Sequence, residues 1–406
     1  MLAINSVRTL DTRSELSKVT ADSRKFPEVF SNREIVAVVV LSIGSGIVRA
    51  LQPLLLGALV HENRLTVAEL GLAATVELLM IGITIGAAGT WLKPERLRAI
   101  GVATIIASIV FNIGSVFASP FMFMLFRGLA GVSSGLVLWM LFGMVARLRV
   151  PARVMGLYIG LQAGVALAMA SFCSWYVIPT FGASGGFVIL SLLSLALIRC
   201  IPFLPPHFGP LAVQQNGRSW PGLRGFTALF AVFCCASGIM SLWVYVDPLA
   251  RRGGLGADVI GYAISAGLGV QILGGWAASF FAQRLSPVAT IAFGGCANIL
   301  VLALLWRGVP PLIFITAIAI FGFLWAFVMS FITPFMIKSD PTGRAVMQIG
   351  SAELFGAAAG PALVSLFVNA IGAEAAPMVS ATLFATSVLI CVALQIRPAR
   401  VPLVVG

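Results

Sequence analysis

The sequence predicts an all-α membrane protein with twelve transmembrane helices in two six-helix bundles. Three observations carry this. Charged residues make up 10% of the 406 and hydrophobic ones 59%, with a mean hydropathy of +1.03. A soluble domain carries about 25% charged residues. The apolar runs are each about 20 residues or longer, the length of a helix that crosses a bilayer. A barrel would instead show short alternating segments. Finally, the basic residues gather on alternate loops.

Residues 1–33 are polar and mixed in charge, with no apolar core of a signal peptide, and read as a cytoplasmic tail. The first span covers Ile35 to Val60, with Arg49 near its middle, then Gln52 and Pro53. The second, Val67 to Leu92, contains Glu77. The third covers Ile100 to Ser119 with Asn112, and the fourth Phe121 to Val145 with Arg127. The fifth, Val154 to Ile178, holds Gln162, and the sixth is Gly185 to Phe203. Residues 204–223 turn polar and rich in Pro and Gly, and read as a cytoplasmic linker between halves 34–203 and 224–397.

The seventh span, Phe226 to Val246, closes on Asp247-Pro248, which reads as a solvated helix end. The eighth is Val259 to Phe281 with Gln271, the ninth Val288 to Trp306 with Asn298, and the tenth Leu312 to Ile337 with Trp325. The eleventh, Ala345 to Ala370, carries Glu353, and the twelfth is Met378 to Ile396. Residues 398–406 form a second cytoplasmic tail.

With the N-terminus inside, inner segments hold 20 of the 26 Lys and Arg residues. Outer loops hold only Arg64, Arg251, Arg252 and Arg307. This positive-inside bias places both termini in the cytoplasm, across a plasma or inner membrane. The net charge of +12 is thus a topology signal, not a nucleic-acid surface, because it is spread over short loops.

The fourth span reads Phe-Arg-Gly-Leu-Ala-Gly-Val-Ser-Ser-Gly from Phe126. Arg127, Gly131 and Gly135 recur every four residues and share one face. Glycines there admit a neighbouring helix closely. An arginine at a helix centre costs about 2.5–3.5 kcal/mol on insertion scales, so it must face protein or a watery cavity.

The halves are related. Ile85–Leu97 aligns without gaps to Leu273–Leu285, each at the inner end of the second span of its half. Arg153 precedes Gln162 by nine residues, as Arg344 precedes Glu353. Parallel repeats about an axis along the membrane normal make two bundles with a site at their interface.

On these features the chain resembles the major facilitator superfamily over residues 34–397. Arg127-x3-Gly131-x3-Gly135 looks like that family's fourth-helix motif. Gly356-x3-Gly360-Pro361 is similar to its helix-packing signature, and Asp340-Pro-Thr-Gly-Arg344 to its loop before that helix. Two departures stand out. Lys93 occupies the loop after the second span where the family usually has Asp, and the fifth span lacks the Gly-Pro of proton-driven drug exporters. The resemblance implies alternating access between two bundles related by a pseudo-twofold axis. It also implies that the first helix of each half lines the cavity.

Arg49, Glu77 and Arg127 all fall in the middle or outer-middle of the bilayer, judged from a rise of about 1.5 Å per residue. Glu77 is expected to pair with one or both arginines, since an unpaired charge there is very costly. Two cations against one anion leave a surplus that could hold an anionic substrate. Glu353 has no basic residue nearby in its own helix, which suits reversible protonation. Gln162, its counterpart, keeps the hydrogen-bonding shape without the charge. Gln52, Asp247, Gln271, Asn298 and Trp325 are weaker candidates. Trp139, Trp243, Tyr245 and Trp325 read as apolar packing or interfacial anchors.

No nucleophile–base set or phosphate-binding glycine loop is present, so neither an enzyme nor an ATP-driven pump is expected. The six cysteines lack metal-ligand spacing, and no metal or cofactor is expected. A membrane sensor would need a larger soluble output domain. The expected function is secondary transport of a small solute by a monomer, coupled to protons. Two forms stay open: uptake of an organic anion through Arg49 and Arg127 with Glu353 as proton carrier, or proton-driven export of drugs or metabolites.

Overall fold

The computed structural model describes residues 30–92, 95–145, 147–148, 151–208, 221–281, 284–306, 308–340 and 345–396. The side chains at 89, 90, 151–153, 156 and 347 lie outside it. So do the tails to residue 29 and from residue 397, most of the linker, and loop residues Lys93, Arg149 and Arg344.

Ten stretches are long and apolar enough to cross a membrane. Two of them, Leu157–Phe203 and Ile349–Ile396, run to 47 and 48 residues. At 1.5 Å per residue each would extend about 70 Å, twice a bilayer's hydrocarbon core. Each is broken by a glycine at positive φ, Gly182 at 65° and Gly372 at 74°, where a side chain would strain the backbone. The described chain therefore makes twelve crossings.

Local sequence sets the helix ends. The first helix, Asn32–His61, and the second, Val67–Trp91, each open on a capping box, Ser31 with Glu34 and Thr66 with Glu69. Helices Pro120–Val145, Pro151–Phe172, Pro287–Leu305 and Pro311–Met329 open on proline, whose missing N–H is not needed there. The third span is Leu97–Phe117. The fifth passes through a π-helical turn, Cys173–Val177, and runs on to the kink at Gly182 within helix Ile178–Leu197; the part of that helix after Gly182 is the sixth. Leu223–Trp243, Ala257–Phe281, Ile349–Ile371 and Ala375–Ile396 are the seventh, eighth, eleventh and twelfth.

Three boundaries differ from those the sequence predicts. The seventh span stops at Trp243 and restarts as a short helix, Val246–Arg252, so Asp247 lies inside a helix. The tenth breaks after Met329 and resumes at Ile332–Ser339. The polar stretch after the sixth span is not all free linker. Leu204 and Phe208 are buried, and Arg98 Nε donates to the Leu204 carbonyl at 2.8 Å. Arg147 lies 5.1 Å over the Phe208 ring, so this segment straps the ends of the third and fourth spans.

Packing repeats between halves. The second span packs on the fourth and the eighth on the tenth; the third packs on the sixth and the ninth on the twelfth. The first packs on the fifth and sixth, as the seventh does on the eleventh and twelfth. The halves meet where the second span crosses the eleventh and the fifth crosses the eighth. These two crossings exchange under the same pseudo-twofold relation.

The fifth–eighth crossing is tight at the end away from the linker and loose at the linker end. Ser174 would clash with any side chain at Gly261, Ser171 Oγ lies 3.1 Å from Ser265 Oγ, and Leu167 lies 3.6 Å from where a Gly269 Cβ would stand. One and two turns further toward the linker, a Cβ at Gly164, Gly160 or Gly275 would meet nothing within 4 Å. Gly164 and Gly160 continue the fifth-span stripe of Ser174, Ser171 and Leu167. Spans five and eight therefore splay apart toward the linker end. At the far end the halves close through Gly57, packed directly on the Asp247 side chain, and Gly71, packed on the Tyr245 hydroxyl.

Candidate functional site

The fourth-span glycine face does what its spacing implies. Gly131 packs on the Glu77 carbonyl, and a Cβ at Gly135 would stand 2.9 Å from the Ile81 carbonyl. This close approach delivers Arg127 to Glu77, with Nη1 3.9 Å from Oε1 and side chains 1% and 2% exposed. Arg127 Nη2 also donates to Asn112 Oδ1 at 2.8 Å and Ser115 Oγ at 3.0 Å. The guanidinium lies 5.0 Å from the Phe187 ring centre and 5.7 Å from that of Phe123. Gln52 Nε2 donates to Glu77 Oε2 at 3.4 Å. The sequence thus foretells the meeting of the two charges, but not Asn112, Ser115 and Gln52 as their supports. Arg127 is walled in on every side; its charge is matched and not offered to a cavity.

Arg49 is placed differently. It is half-buried, makes no ion pair among the described residues, and feels Glu77 only at longer range. Pro53 stands four residues on and has no N–H, so the Arg49 carbonyl loses its usual helix partner. A Cβ at Gly46, one turn toward the linker end, would stand 3.2 Å from Arg49 Nη2 and collide with the Gln162 amide. Gln162 from the fifth span therefore reaches across beside Arg49. Tyr158, one turn before Gln162, is 5% exposed within an apolar cluster of the first half.

Glu353 sits half-buried in the eleventh span without an ion pair among the described residues, within electrostatic range of the Cys235 thiol. Its neighbour Leu354 packs where the second span passes, 3.5 Å from a Cβ at Gly82. Glu353 therefore borders the second crossing between halves.

The weaker candidates scatter. Asp247 is not a solvated helix end: it is 3% exposed and accepts from Arg251 Nε at 2.7 Å, because the short helix after Trp243 folds it against the first span. Asn298 is buried within the second half, 1% exposed, with no hydrogen-bond partner for Oδ1 among the described residues. Trp325 packs edge-to-face on Trp243, 5.7 Å between ring centres. Gln271 is half-buried on the eighth span. No group of three or more His, Cys, Asp or Glu among the described residues could hold a metal.

Twelve long helices in two related sixes, with a seam closed at one end and splayed at the other, define the fold. The same fold is seen in the crystal structure of a point mutant of the nucleoside transporter NupG. The two share a TM-score of 0.66 at 16% identity over 89% of this chain and 99% of that one. No family model matches the sequence, and no curated protein sequence does.

Proposed function

We propose that the protein is a secondary active transporter that moves a small organic anion across the membrane by alternating access, with protons as the coupling ion. One observation carries the choice of an anion. Of the two arginines inside the membrane, Arg127 is neutralised by Glu77 at full burial, whereas Arg49 is half-buried without an ion-pair partner among the described residues. A cation held at such depth needs an anion, and a substrate can supply it. Glu353, an acid without an ion pair beside the crossing between halves, is the proton carrier in this reading.

The bundles of residues 34–203 and 224–397 rock about the seam as a monomer, joined by the linker at 204–223. The positive-inside distribution supports cytoplasmic termini. The splayed end is then the cytoplasmic one, and the shape is inward-open.

A second reading, transport of a neutral solute, is favoured by the shared fold with a nucleoside transporter. Uptake into proteoliposomes from a panel of monocarboxylates, nucleosides and cationic drugs, with and without an imposed pH gradient, separates them. The anion reading expects a carboxylate to accumulate, faster when the outer solution is acidic. Accumulation of only nucleosides or only cations contradicts it.

A further inference from the structure

We infer that the two halves take unequal parts in the transport cycle. The second half moves as one body around its seventh span. In the first half the linker-side arm of the first span, Asn32 to Arg49, swings about Pro53 and carries Arg49 with it. This rests on the alternating-access reading above, but not on the charge of the substrate.

The seventh span is fastened to its neighbours through backbone. Ser237 Oγ donates to the Gly356 carbonyl at 2.8 Å, which ties it to the eleventh span. Ser380 Oγ donates to the Gly238 carbonyl at 2.6 Å and Ser387 Oγ to the Ala231 carbonyl at 2.8 Å, which ties it to the twelfth. All three serines are buried, so water does not compete for these bonds. Gly356 rests on the Phe233 carbonyl and Gly360 on that of Ser237. Every residue from Cys234 to Trp243 is buried.

The corresponding contacts of the first span end on side chains. Gly44 meets the Leu197 side chain and Gly46 the Gln162 amide. Just before the helix, Phe30 packs edge-to-face on Phe208, 5.8 Å between ring centres. Ser42 Oγ turns back to the Val38 carbonyl of its own helix at 2.8 Å. Side-chain ends can turn aside where a carbonyl cannot. Among the described residues, Ser45 Oγ and Gln52 Oε1 of this span are buried without a hydrogen-bond partner, and no side chain of the seventh span is so placed. Unpaired buried groups are costly, so a second arrangement of the first span has bonds to gain.

Pro53 supplies the pivot. It removes the helix bond that the Arg49 carbonyl would accept, a common origin of a bend. Beyond it the far end is anchored. Glu62 Oε1 accepts from the Ala183 N–H at 2.6 Å, and Arg64 Nη1 donates to Ser184 Oγ at 3.0 Å. Pro361 leaves a similar gap in the eleventh span, but it is clamped. Gly360 lies against Ser237, and the Pro361 carbonyl accepts from the Tyr245 hydroxyl at 3.4 Å.

The test measures distances in the full-length protein in nanodiscs, in a background without the native cysteines, locked in two shapes. One is closed at the far end by a disulfide between Ser171→Cys and Ser265→Cys. The other is closed at the linker end by bridging Gly160→Cys and Gly275→Cys with a short bis-methanethiosulfonate. Nitroxides on genetically encoded p-acetylphenylalanine replace one exposed pair per half, Val36 with Leu195 and Phe230 with Leu389. From Val36 to Pro53 the arm is about 25 Å long, so a bend of about 10° moves its tip about 4 Å. The first-half distance is expected to shift by about that much between the two shapes, while the second-half distance stays the same. Equal shifts in both halves, or none in the first, overturn the proposal. Pro53→Ala restores the helix bond and should shrink the first-half shift without lowering the melting temperature. A full shift in that variant overturns the pivot. If the far-end disulfide forms but the linker-end bridge never does, the linker end does not close, and the alternating-access reading falls together with this inference.

Discussion

Arg127 of the fourth span and Glu77 of the second face each other 3.9 Å apart with side chains 1% and 2% exposed, so neither can exchange its partner for water. Removing one member leaves the other as an unmatched charge in a dry interior, at a cost of about 3–5 kcal/mol. Glu77→Gln and Arg127→Gln should each lower the unfolding temperature in detergent markedly. The double variant should lose less than the sum of the two. Additive losses would mean that the residues act separately.

The pair depends on how closely the second and fourth helices approach. Gly131 rests on the Glu77 carbonyl, and Gly135 faces the Ile81 carbonyl and Thr84. Backbone atoms cannot turn aside as a flexible side chain can. Gly131→Val should therefore force the helices apart and destabilise by about 1–3 kcal/mol or more. Gly164→Ala, at a site with open space, should be near neutral in the same melt. Matching melting points for both would contradict the packing described.

Ser171 and Ser265 bring their hydroxyl oxygens within 3.1 Å across the fifth–eighth crossing. In a background without the native cysteines, Ser171→Cys with Ser265→Cys should form a disulfide under mild oxidation. Because this contact must part if the far end is to open, the cross-link should stop transport, and reductant should restore it. Full transport by the cross-linked protein would show that the far end does not open along this seam.

The splayed end makes the complementary prediction. Gly160→Cys and Gly275→Cys should react with a membrane-impermeant maleimide applied from the linker side, and slowly or not at all from the other. Equal labelling from both sides, or none from the linker side, contradicts the opening.

Much of the architecture is legible in the sequence because lipid imposes it. Long apolar runs must be helices, since backbone groups have no other partner in hydrocarbon. The fourth-span motif foretells both its face and its partner because an arginine in oil requires an acid and the second span holds Glu77. What stays hidden depends on bends. Pro248 and Asp247 read as a helix end, but the chain restarts at Val246 and buries the acid against Gly57. The sequence leaves open whether Glu77 pairs with Arg49, Arg127 or both; packing pairs it with Arg127 and leaves Arg49 without an ion pair among the described residues.

The central claim is that Arg49 holds the transported anion. The direct measurement is carboxylate uptake by proteoliposomes bearing Arg49→Gln, beside the unaltered protein, with unfolding temperatures compared. Loss of uptake with the melt nearly unchanged is the result expected. Uptake at the original rate would show that the substrate does not meet this cation, and the anion mechanism would not hold.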